Sequence, residues 1–335
     1  ELGLTFLPSS LTLTLDGGAL KEGDRIIIDY GWTPSGIAGA RVQLLAMPVV
    51  FNFTGDAEGE GNWELVPSPP GVKVQSDEPA ILIAVSPAQV AAGESFTVRA
   101  VVRDEFYNLV PGYRGSLRFN IDKGEFRLPN SFAMHGGIAE IQGFRIDNPG
   151  IYRIQVETDG LPTTRTPPIQ VEEKVHGRKL LFGDPHCMSG LCVGEYPAGL
   201  DARGIVDYVH TYARDAAGME FGACTSLGYR LSDTEWDAVC ESARNFTEPN
   251  RYVALPAYEW FGMRKNQDGN KNVYFLEGER PPIFHSRDPE SDMPEKLWAK
   301  LEGMEGRTLT VPHHPASSII AVSYTHLTLP TILLV

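Results

Sequence analysis

The chain has 335 residues, 42% of them hydrophobic and 21% charged, with a formal net charge of -14. This is the composition of a globular protein with room for two or three domains. The acidic excess argues against nucleic acid as a partner, and no apolar run is long enough to cross a bilayer, so no membrane partner is expected either.

In chain order, residues 1–65 are β-rich. Leu11–Leu15, Arg25–Tyr30 and Val42–Phe53 alternate as strands between Gly and Asp punctuation such as Asp16-Gly-Gly18. A partial sandwich is expected here. Residues 66–79, with Val66-Pro-Ser-Pro-Pro-Gly71, read as a Pro-rich linker. Residues 80–173 carry strand candidates at Ile81–Val85, Ser95–Arg103, Gly115–Asn120, Gly137–Phe144 and Gly150–Val156. In Phe96-x-Val98-x-Ala100-x-Val102 the apolar residues recur at period two, as for one buried face. Short strands at near-regular spacing predict an immunoglobulin-like sandwich.

From Lys179 the period changes. Lys179–Phe182 reads as a buried strand that ends in Gly183-Asp184-x-His186. Ala202–Ala217 fits a helix with Ile205, Val209, Tyr212 and Ala216 on one face and Gly218 as its C-terminal cap. Glu220–Thr225 is a short strand. Ser232-Asp-Thr-Glu235 is a capping box opening a second helix, which buries Trp236, Val239, Cys240 and Ala243. Tyr252–Tyr258 is a strand ending at Glu259, and Asn272–Phe275 is another. Pro294–Gly303 is a helix, and Thr308–Val311 a final strand before Pro312-His313-His314. The β-α-β-α order predicts a parallel sheet or barrel.

Metal-type residues fall at the strand ends: Asp184 and His186, then Glu259, then His313 and His314. In a parallel barrel these ends share one rim, where residues distant in sequence converge. Imidazole nitrogen with carboxylate oxygen suits zinc, manganese or iron, and such ions assist hydrolysis. The bland alternative is a hydrogen-bonded loop histidine at His186 and a capped turn at His313-His314.

Phe182-Gly-Asp-x-His186, Tyr212-Ala-Arg-Asp-x-Ala-Gly218, Glu248-Pro-x-Arg251, Tyr258-Glu-Trp260 and Asn272-Val-Tyr-Phe275 together resemble the poorly characterised family related to PHP (polymerase and histidinol phosphatase) metallohydrolases. Its multidomain members place β-sandwich modules before the PHP-like domain. The resemblance covers Lys179 to about Ser317. It implies a multidomain chain: all-β immunoglobulin-like modules, then an α/β, truncated, distorted PHP-like β/α barrel over residues 178–321. It also implies a divalent metal cofactor and hydrolysis of a small-molecule substrate, most typically a phosphoester. On this reading Asp184, His186, Glu259 and His313 are metal ligands. Glu259 also serves catalysis, and His314 is a further ligand or a proton shuttle. Two positions depart from the family pattern. Met188 stands where the second histidine of His-x-His belongs, and Thr225-Ser226-Leu227 replaces Thr-Asp-His. A thioether is a poor ligand for hard divalent ions. These losses motivate the alternative of a non-catalytic PHP-like binding module whose sandwiches contact carbohydrate or protein.

The four cysteines, Cys187, Cys192, Cys224 and Cys240, all lie in the C-terminal half and read as free, partly buried thiols. Val322–Thr331 resembles the in-frame translation of a sequencing adapter. Residues 322–335 are therefore expected to be an artefactual tail, and the chain to be a fragment.

Overall fold

The structure is a computed structural model that describes residues 2–7, 10–15, 18, 20–28, 43–51, 53–68, 70–124, 132–175, 177–192, 200–264, 268–276, 279–304 and 307–313. The expected tail, 322–335, and His314 lie outside these residues. The chain divides into two compact units, Glu1–Gln43 and Leu44–Val335.

In the first unit Leu2–Leu7 and Ser10–Leu15 form an antiparallel hairpin, with Leu2 opposite Leu15 and Leu7 opposite Ser10. Residues 25–28 of the expected strand Arg25–Tyr30 are exposed and form no strand, and residues 29 and 30 lie outside the described residues. In the second unit, the described residues of the expected strand Val42–Phe53 form a strand at Pro48–Val50, which pairs antiparallel with Gly71–Lys73.

A β-sandwich follows. One sheet has seven strands in the order Thr164–Arg165, Ile154–Glu157, Arg114–Ile121, Phe132–His135, Ile138–Phe144, Phe96–Arg103, Ile81–Val85. A second has Gly150–Tyr152, Ile169–Glu172 and Gln89–Ala91. Period-two alternation holds: Phe96, Val98, Ala100 and Val102 are all buried, in one core with Leu117, Met134, Phe144, Ile154 and Ile169. Each of these side chains other than that of Ala100 contributes about 1.5–3 kcal/mol on leaving water.

The C-terminal module is a five-stranded sheet whose strands we label β1 (Gly183–Cys187), β2 (Phe221–Cys224), β3 (Val253–Phe261), β4 (Asn270–Phe275) and β5 (Thr308–Pro312), adjacent in that order. Strands β1, β2 and β3 run parallel, whereas β4 is antiparallel to both β3 and β5. The expected all-parallel arrangement is therefore corrected to a mixed sheet, because no helix separates β3 from β4. A closed β/α barrel is not present among the described residues.

Helices α1 (Ala202–Thr211), α2 (Asp233–Phe246) and α3 (Pro294–Glu302) complete the module. Asp201 caps α1, accepting from the Gly204 N–H at 2.7 Å, and the Ser232/Glu235 capping box starts α2 as its sequence predicts. The helices cover one face of the sheet with Trp236, Val239, Cys240, Leu297 and Leu301, packed on Tyr258, Trp260, Val273 and Phe275. The other face carries a smaller apolar cluster of Ala223, Ala257 and Tyr274, with Leu255 and Leu309 packed against it.

Two further expectations are corrected. Lys179–Phe182 is not a buried strand: the stretch is exposed, and pairing begins at Gly183, opposite Phe221. Asp184 and His186 thus lie within β1 rather than after it. The helix expected over Ala202–Ala217 is α-helical to Thr211 and then widens into a π turn over Tyr212–Ala216. The π turn meets the sandwich. Arg99 donates to the Arg214 carbonyl and Arg103 to the Ala216 carbonyl, so carbonyls at the helix end find donors on the other module. Arg251 reaches both Glu140 of the sandwich (2.9 Å) and Asp215 (3.1 Å). Gly218 follows at φ +68°, where a Cβ would meet Val85 Cγ2 at 2.7 Å. The motifs at 212–218 and 248–251 therefore build the joint between sandwich and sheet.

Candidate metal centre

Side chains alternate across a strand, so Glu259 and Ala257 share one face of β3 while Tyr258 and Trp260 enter the helix-covered core. The same parity puts His186 of β1, Thr225 just past β2, Asn270 and Asn272 of β4 and His313 just past β5 at the Glu259 side. Register fixes their level: Asn272 is opposite Glu259, Asn270 is opposite Phe261, and the His313 N–H donates to the Asn270 carbonyl at 3.0 Å. Because β4 runs antiparallel, its start reaches the rim where β2, β3 and β5 end.

Here His186, Glu259 and His313 each offer a ligand atom, all within 4.8 Å of one another. The imidazoles of His186 and His313 stack with centroids 3.8 Å apart and planes at 28°. His313 Nε2 lies 3.8 Å from Glu259 Oε2. Asn270 Nδ2 donates to Glu259 Oε1 at 2.6 Å. Glu259 Oε2 is buried and has no hydrogen-bond donor. Burial pushes the Glu259 carboxyl above its ordinary range, partly offset by the Asn270 amide.

Second partners fix the His186 ring. Its Nδ1 lies 3.2 Å from Asn272 Oδ1 and 2.5 Å from Thr225 Oγ1. An amide oxygen can only accept, so Nδ1 carries the proton and Nε2 is the lone-pair nitrogen. A histidine whose far nitrogen donates to a fixed oxygen is the usual support of a metal ligand. Two ligand atoms at about 2.1 Å from one ion stand at most about 4.2 Å apart. The 3.8 Å pair already meets that limit, and the 4.8 Å span needs only a small side-chain closure. Two imidazoles and a carboxylate with an orphaned buried oxygen thus fit a divalent ion.

Of the residues chosen from sequence, the structure brings His186, Glu259 and His313 together. Asp184 stands apart from this trio: its Oδ1 accepts the His186 N–H at 2.9 Å. His314 lies outside the described residues. Met188 is exposed, and Leu227 forms a parallel bridge with Glu259. Sequence reasoning missed Asn270 and Asn272, and gave Thr225 no ligand-supporting role. The available signal was Asn270-Lys-Asn272, two amides at period two on one strand face.

Residues 204–323 match a family described as "Protein of unknown function (DUF3604)". A comparison with curated proteins finds no match. Among solved structures, the chain is similar to a β-glucuronidase from glycoside hydrolase family 2 (16% identity, TM-score 0.26, 34% of this chain). It is also similar to a β-glycosidase from Bacteroides vulgatus (19%, 0.27, 34% of this chain) and the S-layer protein rSbsC (14%, 0.24, 32% of this chain). The chain spans only 13%, 19% and 15% of those three chains respectively. At these scores the likenesses carry no argument about function.

Proposed function

We propose that the C-terminal module binds a divalent metal ion, zinc, manganese or iron, through His186, Glu259 and His313, and that it hydrolyses an ester of the phosphoester class, as PHP-type metallohydrolases do. The observation that carries this reading is the buried Glu259 Oε2, left without a donor beside two stacked imidazoles. Leaving a buried carboxylate oxygen unsatisfied costs about 1–3 kcal/mol or more, and a cation offsets that cost. When bound, such an ion supplies Lewis-acid polarisation of an ester oxygen and a better water nucleophile at neutral pH. The chain's own residues do the rest. Thr225 and Asn272 hold the proton on His186 Nδ1 and so present Nε2. Asn270 anchors Glu259 Oε1 and turns Oε2 toward His313. His314, next to His313 in sequence, is assigned proton transfer to the leaving group. For Asp184 to serve as a fourth ligand, its carboxylate has to release the His186 amide. The test is hydrolysis of p-nitrophenyl phosphate with added zinc or manganese. Activity in the wild type and its loss in Glu259→Gln support the reading; equal rates in both contradict it.

A second reading is a non-catalytic binding module. Met188 and Leu227 motivate it, since both stand where PHP proteins carry ligands. The arginine-tied joint to the sandwich is compatible with it, because it ties the sheet module to the sandwich that would contact carbohydrate or protein. This reading expects no bound transition metal and no phosphatase activity.

A further inference from the structure

Two thiols meet behind the metal trio. In the parallel pairing of β1 with β2, Cys187 is the register partner of Cys224, and the Thr225 N–H donates to the Cys187 carbonyl at 2.9 Å. His186 and Thr225 touch on the Glu259 side, so Cys187 and Cys224, each one residue away, face the helices. Cys224 is fully buried in the helix-side core with Trp236 and Tyr258. Cys187 is half-buried on the edge strand of the sheet, and both thiols are free. Burial, and after it the charge of Cys187, push the Cys224 thiol well above its ordinary pKa, so the two sulfurs sense each other. Neighbouring strands stand about 4.8 Å apart, within the range of about 4.4–6.8 Å between Cα atoms that a disulfide spans.

We propose that Cys187 and Cys224 form a redox pair that closes to a disulfide and, when closed, loosens the hold of His186 on the metal. The effect on the metal rests on the metal-site reading; the disulfide itself does not. The oxidant is a low-molecular-weight disulfide of the glutathione class. Exposure sets the order of events. Cys187, the reachable thiol, loses its proton and attacks one sulfur of the small disulfide. That S–S bond breaks, and the first small thiolate leaves and takes up a proton. Cys224 then loses its proton and attacks the Cys187 sulfur of the mixed disulfide, and the second small thiolate leaves and is protonated. Two protein thiols are oxidised, and the small disulfide is reduced to two thiols. The new bond holds the Cβ atoms at about 3.8 Å, closer than the strand spacing. β1 gives way, because among the described residues it pairs with β2 alone, while β2 is held on both sides. The His186 ring, one residue from the bond, already sits 2.5 Å from Thr225 Oγ1, so a shift of β1 turns it away from its support.

The test treats the full chain with oxidised glutathione, maps its disulfides by mass spectrometry, and measures zinc affinity by calorimetry before treatment, after it, and after reduction with dithiothreitol. A linked Cys187–Cys224 peptide is expected, with zinc bound about tenfold or more weakly by the oxidised protein and recovery on reduction. Cys187→Ser is expected to keep one zinc affinity with or without oxidant, and Cys240→Ser to switch as the wild type does. A disulfide between Cys187 and Cys192 instead, or a Cys187–Cys224 link with zinc bound equally by both forms, overturns the switch. If the link forms and zinc binds neither form, the metal reading falls and the redox pair stands. If zinc binds and no link forms, the pair falls and the metal reading stands.

Discussion

His210 sets a measurable pH dependence. It sits on α1, 1% exposed, with Nδ1 2.9 Å from the Tyr252 hydroxyl and its ring 5.6 Å from Phe246. Burial pulls its pKa down from 6.5 to about 4, against the opposing charge of Asp207. The folded protein therefore keeps this imidazole neutral where the unfolded chain protonates it. Between about pH 6.5 and pH 4 the unfolded state binds more protons, so stability falls as pH falls. The stabilisation is complete above the unfolded value and is lost down through the folded one. The gap corresponds to about 3 kcal/mol at about 1.4 kcal/mol per pKa unit. His210→Asn places an amide near Tyr252 and removes the titration. Urea unfolding of both proteins at about pH 7 and about pH 4.5 is the assay, since other titrating groups cancel in the comparison. The wild type is expected to lose about 2–3 kcal/mol more than His210→Asn over that interval. An equal loss in the two proteins refutes the reasoning.

Further outcomes follow from the same structure. Glu259→Gln keeps an acceptor for Asn270 and removes a buried negative charge. The metal-free protein is then expected to gain about 1 kcal/mol, or about 2–4 °C in melting temperature, while losing the stabilisation that zinc gives the wild type. A lower melting temperature without metal, with zinc stabilisation intact, would count against the site. Gly218→Ala forces a side chain into a left-handed backbone and against Val85. It is expected to cost about 1–3 kcal/mol and to expose the joint to limited proteolysis; unchanged urea stability would contradict that.

The legible parts of the fold are those written in local chemistry. Ser232 and Glu235 announced α2 because both ends of a capping box lie within four residues. Phe96 to Val102 announced a buried strand face because alternation is a property of neighbours. Strand direction is not local. Nothing in Asn270–Phe275 says that it runs against β3, so the sheet read as parallel and the asparagines at its start escaped notice. Leu180-Leu181-Phe182 misled for a related reason: an apolar run signals burial only if a partner covers it, and here it is exposed. The trio itself was legible as metal-type residues near three strand ends. Its support by Thr225, Asn270 and Asn272 depends on register, which only the assembled sheet supplies.

The most direct measurement is a zinc titration of the untagged, chelator-treated chain by calorimetry, beside His186→Ala and His313→Ala. The account predicts about one equivalent of zinc bound by the wild type and its loss in each variant, with the fold retained by circular dichroism. Absence of zinc, manganese and iron binding to the wild type, or zinc binding that survives both substitutions, contradicts it.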